Sequence, residues 1–408
     1  MENQIVFEQN NKLNGFMEYL LIFLLVFFDE KTFLRIYIVP SFVQIILFAI
    51  PLVYFLIVKK IYNKTLLDYR MIVILLTLYA SMLLSTLISL DAYKVWIKMI
   101  LILFIAFLCV YCMPLERFAK KYCNVMFILA CYSIIVTVIC NLIPELADRL
   151  FSIITHGSNQ EKPLQYYNAV FSFYCKTTDR LHNIGPFTEQ GIYQFFLIMA
   201  IIFSLSLSKI SYYQLIIFIL GVCTTGSTAG IVCLLIIIIS FSCLACYYKN
   251  WKLLFSLVFP IVFFILFVLA IDVAERLLQD FDKLSGGGSF DSRLGSLRGA
   301  IMAWAKKPIF GWGYTGANSG SGAFFRQWTK DNTNTTFFLF ACFGIVFGGI
   351  NLVGFFNFYK RRFKNLFCLV AVLISIFLSV NNECFLSSLF FYVIVFYGLV
   401  NTKKGNNF

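Results

Sequence analysis

Long runs of apolar residues recur along the whole chain and are separated by short polar segments. A helix needs about 20 apolar residues to cross roughly 30 Å of hydrocarbon, and most of these runs reach or approach that length. The pattern therefore predicts an all-α, polytopic helical membrane protein with about twelve transmembrane helices. The predicted spans are 16–28, 38–58, 70–90, 95–113, 122–143, 188–207, 212–223, 227–247, 253–271, 335–358, 366–380 and 383–400.

The composition supports this interpretation. Of the 408 residues, 60% are hydrophobic and only 13% are charged, which excludes a soluble domain of this size. The first run, 16–28, lacks a basic N-terminal flank and a small-residue cleavage site, so we interpret it as a retained helix and not as a signal peptide. The 13 cysteines show no metal-ligand or disulfide spacing, and most lie inside apolar runs as small core residues do.

The charges of the loops predict the orientation. Every even-numbered loop between the predicted spans is short and basic, within a chain of net charge +13. Because Lys and Arg concentrate in cytoplasmic loops, these loops and both termini are predicted to be cytoplasmic. The odd-numbered loops then face the outside, and two of them are long, at 144–187 and 272–334. We find no internal repeat and no soluble domain, so 1–408 is interpreted as a single integral membrane domain.

Polar chemistry is concentrated in the second long loop, in the stretch that begins at Asp291. An amphipathic helix is predicted over 292–307, because Asp291 is a good N-cap and Pro308 ends the helix. Arg293 and Arg298 flank its apolar face on opposite edges, which suits a helix that lies at a membrane surface and faces an anionic group. At a period of 3.6 residues, that apolar face holds Leu294, Leu297, Ile301 and Trp304.

The same stretch carries an uneven distribution of charge. From Arg293 to Lys330 there are six cations and no acid. One interpretation is a pocket for phosphate or diphosphate, to which arginine gives two-pronged hydrogen bonds. The alternative is that these cations pair with lipid headgroups or with the acids just upstream, since unpaired charge is common in external loops.

A second polar constellation, at 180–196, ends the first long loop and enters the sixth span. Glu189 and Gln190 fall in the first turns of an apolar helix, where a carboxylate is costly unless it is paired or lines a wet cavity. We therefore prefer to interpret Glu189 as a general base, or as an anchor for a sugar hydroxyl or an arginine, and not simply as a helix-capping acid. The two histidines, His156 and His182, lie too far apart for a convincing metal site.

Two weaker features complete the polar pattern. The turn Cys223–Gly230, between the seventh and eighth spans, consists of small residues that allow close approach of the backbone. The segment Asp331–Thr336 opens the tenth span, and its Asn332 and Asn334 either hydrogen-bond a sugar or cap the helix.

Taken in order, these motifs resemble the O-antigen polymerase and O-antigen ligase superfamily of membrane proteins. The resemblance runs from about residue 180 to the end of the chain, and it depends on the order and spacing of motifs that are each short. These motifs are Arg180 with Gly185-Pro186-Phe187 and Glu189 at a helix entry, the small-residue turn, the arginine-bearing helix ending in Gly311-Trp312-Gly313-Tyr314, and Asn334 followed ten residues later by Gly344.

Two departures favour the polymerase branch of that superfamily. Thr333 stands where the ligases have an essential histidine, and Ser227-Thr228 stands where a Ser-Arg pair is common. The resemblance implies a C-type glycosyltransferase that joins undecaprenyl-diphosphate-linked oligosaccharide repeat units into O antigen or a related surface polysaccharide. It further implies a multi-pass protein of the bacterial inner membrane that acts at the periplasmic face without a metal, a nucleotide sugar or nucleic acid. Membrane lipids and a polysaccharide chain-length regulator are the expected partners.

Each motif receives a role in this hypothesis. Arg293 and Arg298 bind the diphosphate and stabilise the charge left on it. Arg180 contacts either that group or the carboxylate of Glu189, and Glu189 activates or orients the acceptor hydroxyl. Catalysis is thus assigned to Arg180, Glu189 and Arg298. The predicted substrate-binding residues are Arg293, Asn334, Trp304, Gly311, Gly313, Tyr314 and Gln190.

Three other functions are weighed against the polymerase. A ligase would transfer finished glycan to a lipid core or another acceptor. A flippase for lipid-linked oligosaccharides would be expected to place its cations inside the bundle, whereas this chain places them in a long external loop. A membrane scaffold without catalysis is the fourth possibility.

Overall fold

The computed structural model describes residues 2–29, 31–39, 41–62, 69–89, 93–156, 164–176, 182–270, 289–314 and 333–400, which form fourteen α-helices, a short π-helix (Leu34–Ile38) and one small sheet. The helices are α1 Glu2–Phe27, α2 Ser41–Tyr62, α3 Tyr69–Ser89, α4 Tyr93–Cys112, α5 Leu115–Leu142, α6 Pro144–Leu150, α7 Gln190–Ser206, α8 Tyr212–Thr224, α9 Thr228–Tyr247, α10 Trp251–Ala270, α11 Ser289–Lys306, α12 Thr336–Arg362, α13 Leu366–Val380 and α14 Leu389–Leu399. The strands are β1 Ser152–His156, β2 Leu164–Asn168, β3 Phe173–Cys175 and β4 Asn183–Gly185.

The apolar helices agree with a membrane protein. Four of them, α3, α5, α9 and α12, are long and apolar enough to cross a membrane, and eight others contain shorter apolar stretches of 10–17 residues. Each of the twelve predicted spans coincides with one of these helices. The helical, membrane-type architecture is therefore confirmed, while the number of helices that cross the membrane stays a prediction.

Helices α7 and α14 lie in the centre of the bundle. All residues from Gly191 to Leu205 of α7 and from Leu389 to Gly398 of α14 are buried. A helix that is apolar on every side either spans a membrane or is buried among other elements. Accordingly, α5, α8 and α13 pack on α7, while α4 and α12 pack on α14. The rings of Phe196 and Phe390 stack across the two central helices at 4.7 Å between centroids.

The first long loop contains a sheet that the all-α prediction did not include. Its four strands are antiparallel in the order β1-β2-β3-β4, with Tyr166 of β2 opposite Cys175 of β3. Strands β3 and β4 are three residues long and buried on both faces, so they lack the alternating pattern from which strands are predicted. The sheet is tied to the bundle, because Asn183 donates a hydrogen bond to Ser133 Oγ on α5 at 3.1 Å.

Helix α12 is interrupted at Gly344, and the interruption holds the turn that follows α11. Gly344 has a φ of +75°, which leaves carbonyl groups of the preceding turn without their usual partners within the helix. The amide of Trp312 donates to the carbonyl of Ala341 at 2.8 Å, and the amide of Gly313 donates to that of Cys342 at 2.9 Å. Backbone hydrogen bonds therefore fix the position of α11 relative to the bundle.

Candidate functional site

Several segments that are distant in the sequence meet at one end of the bundle. The segment after α1 contacts the β4–α7 junction, where the Thr188 amide donates to the Lys31 carbonyl at 2.9 Å. The same segment contacts the α13–α14 connection, where Ser388 Oγ donates to Asp29 Oδ2 at 2.8 Å. Thr188 and Ser388 fall inside the predicted spans 188–207 and 383–400, but in the structure they precede α7 and α14, which begin at Gln190 and Leu389. All three segments therefore adjoin the first, fifth and eleventh predicted loops, which are predicted to face the same side of the membrane. Their contacts in the structure agree with that arrangement.

Two glutamates and a lysine form an ion-pair cluster at this end. Lys31 Nζ lies 3.1 Å from Glu383 Oε2 and 3.5 Å from Glu189 Oε1. The Glu383 side chain is 8% exposed, whereas that of Glu189 is 53% exposed. Glu189 occupies the N-cap position of α7 but its side chain makes no capping hydrogen bond. Its carboxylate faces Lys31, so the geometry does not favour a capping acid.

Burial and neighbouring charges set the protonation of the cluster. Burial raises the pKa of Glu383 above the usual range of a glutamate, the adjacent charge of Glu189 raises it further, and Lys31 offsets only part of this shift. Burial by itself would lower the pKa of Lys31, but the charges of Glu383 and Glu189 outweigh that effect and raise it. Lys31 is therefore a permanent cation, and Glu383 retains a proton to higher pH than an exposed glutamate does.

Both glutamates of the cluster line a cavity of about 290 Å³. The sheet forms one part of its wall, and the start of α7, the α13–α14 connection and α11 form the rest. Ser227 also lines it, which brings the small-residue turn into the site, and Ser227 Oγ donates to Gln194 Oε1 at 3.2 Å. The charged and polar residues that face the cavity include His182, Glu189, Gln190, Arg293 and Glu383.

The two arginines of α11 are placed very differently. Arg293 is half-buried and lines the cavity, while Arg298 is exposed and is not among the lining residues. Burial lowers the pKa of the Arg293 guanidinium, but Glu383 and Glu189 act in the opposite direction and an arginine keeps its proton in any case. The geometry therefore favours Arg293 over Arg298 as the ligand of an anion in this cavity.

Three other predicted site residues, Arg180, Gln190 and Asn334, are placed differently from one another. Arg180 lies outside the residues that the structure describes. Gln190 lines the cavity, and its Oε1 is buried and accepts no hydrogen bond from the described part of the chain. Asn334 is buried and is not among the lining residues, and its Oδ1 accepts a hydrogen bond at 2.9 Å from the amide of Phe337 in the first turn of α12.

The aromatic turn after α11 contacts the bundle, and its residues are not among those that line the cavity. Gly311 and Gly313 lie with their backbone against α12, and Trp304 packs on Phe340 with 5.0 Å between ring centroids. Tyr314 packs on Phe338 with 6.4 Å between centroids. The structure thus gives these four predicted substrate-binding residues contacts that position α11, and their predicted contact with substrate stays a prediction.

Two of the residues that define the site, Lys31 and Glu383, were not predicted from the sequence motifs. Glu383 is the only charged residue between positions 366 and 400, and a single acid in such a long apolar stretch is a recognisable signal. Lys31 carries no comparable signal, because it stands among other charged residues in a short loop. Only the fold brings these two side chains together from positions 352 residues apart.

Within the described ranges, no group of three or more His, Cys, Asp or Glu residues lies in an arrangement that could hold a metal ion. The carboxylates of the site are instead paired with Lys31 and face Arg293. The polar groups that line the cavity can therefore supply a cation, a carboxylate and a carboxyl group to a ligand directly from side chains.

Comparisons with protein-family models, with curated proteins and with solved structures found no match for this chain.

Proposed function

We propose that this protein is a glycan polymerase of the O-antigen polymerase type, built as a bundle of twelve membrane spans with a C-type glycosyltransferase architecture. It joins undecaprenyl-diphosphate-linked oligosaccharide repeat units at the periplasmic face of the bacterial inner membrane. One observation carries the proposal. The cavity where the external loops converge holds an arginine, Arg293, together with the carboxyl groups of Glu189 and Glu383.

The two kinds of charge match the two demands of the reaction. The acceptor hydroxyl oxygen forms a bond to the anomeric carbon of the donor sugar, while the bond from that carbon to the diphosphate oxygen breaks. The electron pair of the broken bond leaves with the diphosphate, and a fixed guanidinium such as Arg293 stabilises the added charge. Glu189 takes the proton of the hydroxyl, as a general base positioned by Lys31.

The surface of α11 suits a lipid-linked donor. Its small-residue face, which includes Ser296, Ala300 and Ala303, is buried in the bundle. Its apolar stripe stays partly uncovered, with Ile301 38% exposed. Because Arg293 lies between these two faces, an isoprenoid tail along the stripe would bring its diphosphate to the cavity.

If the protein is a glycan polymerase, the purified protein should lengthen a lipid-linked glycan. The protein, reconstituted in liposomes with undecaprenyl-diphosphate-linked repeat units from the cells that produce them, is expected to form a ladder of lipid-linked products that differ by one repeat unit. Gel electrophoresis of the labelled glycan measures the ladder. A chain inactivated in the cavity by the double substitution Glu189→Gln and Arg293→Ala serves as the control.

Each competing function gives a different product. A ligase would transfer glycan only after a lipid-core acceptor is added. It would not lengthen the glycan that is attached to undecaprenyl diphosphate. A flippase would move the unmodified repeat unit between leaflets, which a membrane-impermeant glycan-modifying reagent detects. Any of these results, or no turnover at all with intact protein, would rule out the polymerase.

A further inference from the structure

We propose that Glu189 and Glu383 act as one carboxyl pair that holds a single proton, with Glu383 as its protonated member, Glu189 as its ionised member and Lys31 as the cation that balances the remaining charge. The part of this inference that concerns proton transfer rests on the proposed polymerase reaction. The inference that the pair holds a single proton does not depend on that reaction.

Geometry distinguishes the two members of the pair. The Glu383 side chain is almost completely buried, so its ionised form lacks solvation, whereas more than half of the Glu189 side chain is exposed. Both carboxyl groups contact the same ammonium group of Lys31, at 3.5 Å from Glu189 and 3.1 Å from Glu383, so they are neighbours on one cation. Two adjacent carboxyl groups in such a setting do not both ionise, and the buried one keeps the proton.

The buried member is held tightly in place. A Cβ atom at Gly191 would lie 2.4 Å from Glu383 Oε1, so the carboxyl group lies directly against the backbone of the first turn of α7. The Glu383 carbonyl accepts a hydrogen bond from Thr335 Oγ1 at 2.6 Å. These contacts fix Glu383 relative to Glu189, the N-cap residue of the same helix.

The proton on the pair determines the net charge that the site presents to a diphosphate. If both carboxyl groups were ionised, their two negative charges would cancel the charges of Lys31 and Arg293, and the described residues of the site would keep no net positive charge for a diphosphate. With one proton on the pair, Lys31 balances the single negative charge and the positive charge of Arg293 is retained. Among the residues that the structure describes, the titratable and charged groups that face the pair are Lys31, Tyr166, Cys175, His182, Arg293 and Cys384.

The pair then completes the proton balance of the transfer. The O–H bond of the acceptor breaks, its proton forms a bond with a Glu189 oxygen, and the electron pair left on the acceptor oxygen forms the new glycosidic bond. The pair now carries two protons. Glu189, as the exposed member, releases one of them to water and returns the pair to its starting state. Glu383 is thus a positioning residue that acts through Glu189.

Infrared spectroscopy on the full-length protein tests whether Glu383 carries a proton at neutral pH. The wild type is expected to show, at neutral pH, a carbonyl stretching band of a protonated carboxyl group that disappears at alkaline pH. The band should be lost in Glu383→Gln, which keeps the size and hydrogen-bonding capacity of the protonated side chain. It should persist in Glu145→Gln, because Glu145 is an exposed glutamate at the start of α6.

Thermal unfolding gives a second measurement that does not depend on activity. Because Glu383 binds its proton more tightly when folded, the wild type should lose stability as the pH rises above the ordinary glutamate pKa of about 4.3. Glu383→Gln should flatten this dependence, and Glu145→Gln should not. Absence of the infrared band in the wild type, or its persistence in Glu383→Gln, overturns the inference. A failed polymerase assay would leave both measurements standing and would refute only the proposed function.

Discussion

Replacing Arg293 by alanine should reduce glycan extension by about 100-fold or more, the effect of removing one group that stabilises a developing anion in a preorganised site. Arg298→Ala, on the same helix, should reduce it by less than about fivefold, since an exposed charge contributes up to about 1 kcal/mol. The difference follows from placement, because Arg293 lines the cavity and Arg298 is exposed outside it. The rate at which the lipid-linked ladder grows in liposomes measures both effects.

A conservative substitution separates charge from geometry. Arg293→Lys keeps the positive charge but loses the planar two-pronged donor, so we expect an activity between that of the wild type and that of Arg293→Ala. Immunoblots of the membrane fraction establish that each variant is present at the wild-type level. Equal losses in Arg293→Ala and Arg298→Ala would show that the two arginines act together, as the sequence hypothesis has it. A normal ladder from Arg293→Ala would remove the guanidinium from the mechanism.

The helices were predictable because membrane solvation acts on each segment separately. A run of about 20 apolar residues satisfies its own backbone hydrogen bonds as a helix, whatever its neighbours are. For this reason all twelve predicted spans coincide with helices, and the amphipathic helix predicted at 292–307 is α11, Ser289–Lys306. The sheet was not predicted, because its short strands depend on pairing with one another and on the helices beneath them.

The site was only partly predictable, for a related reason. Glu189, Gln190 and Arg293 stand out as polar residues beside apolar segments, and all three line the cavity. Lys31 and Glu383 complete the cluster through an ion pair across almost the whole chain, which no local pattern encodes. A polar residue can thus be recognised from its local sequence, while its partner is known only from the fold.

The aromatic turn after α11 shows how a motif can have a structural role. Gly311, Gly313 and Tyr314 of this turn are predicted to bind substrate. In the structure the backbone groups of the turn satisfy the carbonyl groups that the interruption of α12 leaves open. Such an interruption is tolerated because another segment supplies the missing hydrogen bonds. We therefore expect the position of Arg293 to depend on residues that are not among those lining the cavity, and chiefly on Gly344.

Gly344→Ala is accordingly expected to abolish glycan extension although Gly344 is not among the residues that line the cavity. Its φ of +75° disfavours any residue with a side chain, which costs of order 1–3 kcal/mol. A Cβ atom there would also lie 1.9 Å from the carbonyl oxygen of Ile309, so the turn after α11 must move. The hydrogen bond from the Ile345 amide to the Pro308 carbonyl, 2.9 Å long, would then be lost and Arg293 displaced. Extension assays in liposomes measure the loss.

Gly349→Ala, five residues further along α12, is the matched control. A Cβ atom at Gly349 meets no atom within 4 Å, so this variant should extend glycan at the wild-type rate. Limited proteolysis supplies the structural measurement, because a released turn should be cut near Pro308 in Gly344→Ala and protected in Gly349→Ala. Full activity with a protected turn in Gly344→Ala would show that α11 does not need this contact to hold Arg293 in the cavity. Loss of activity with a protected turn would place the effect elsewhere in α12, and the coupling between the interrupted helix and the cationic helix would have to be abandoned.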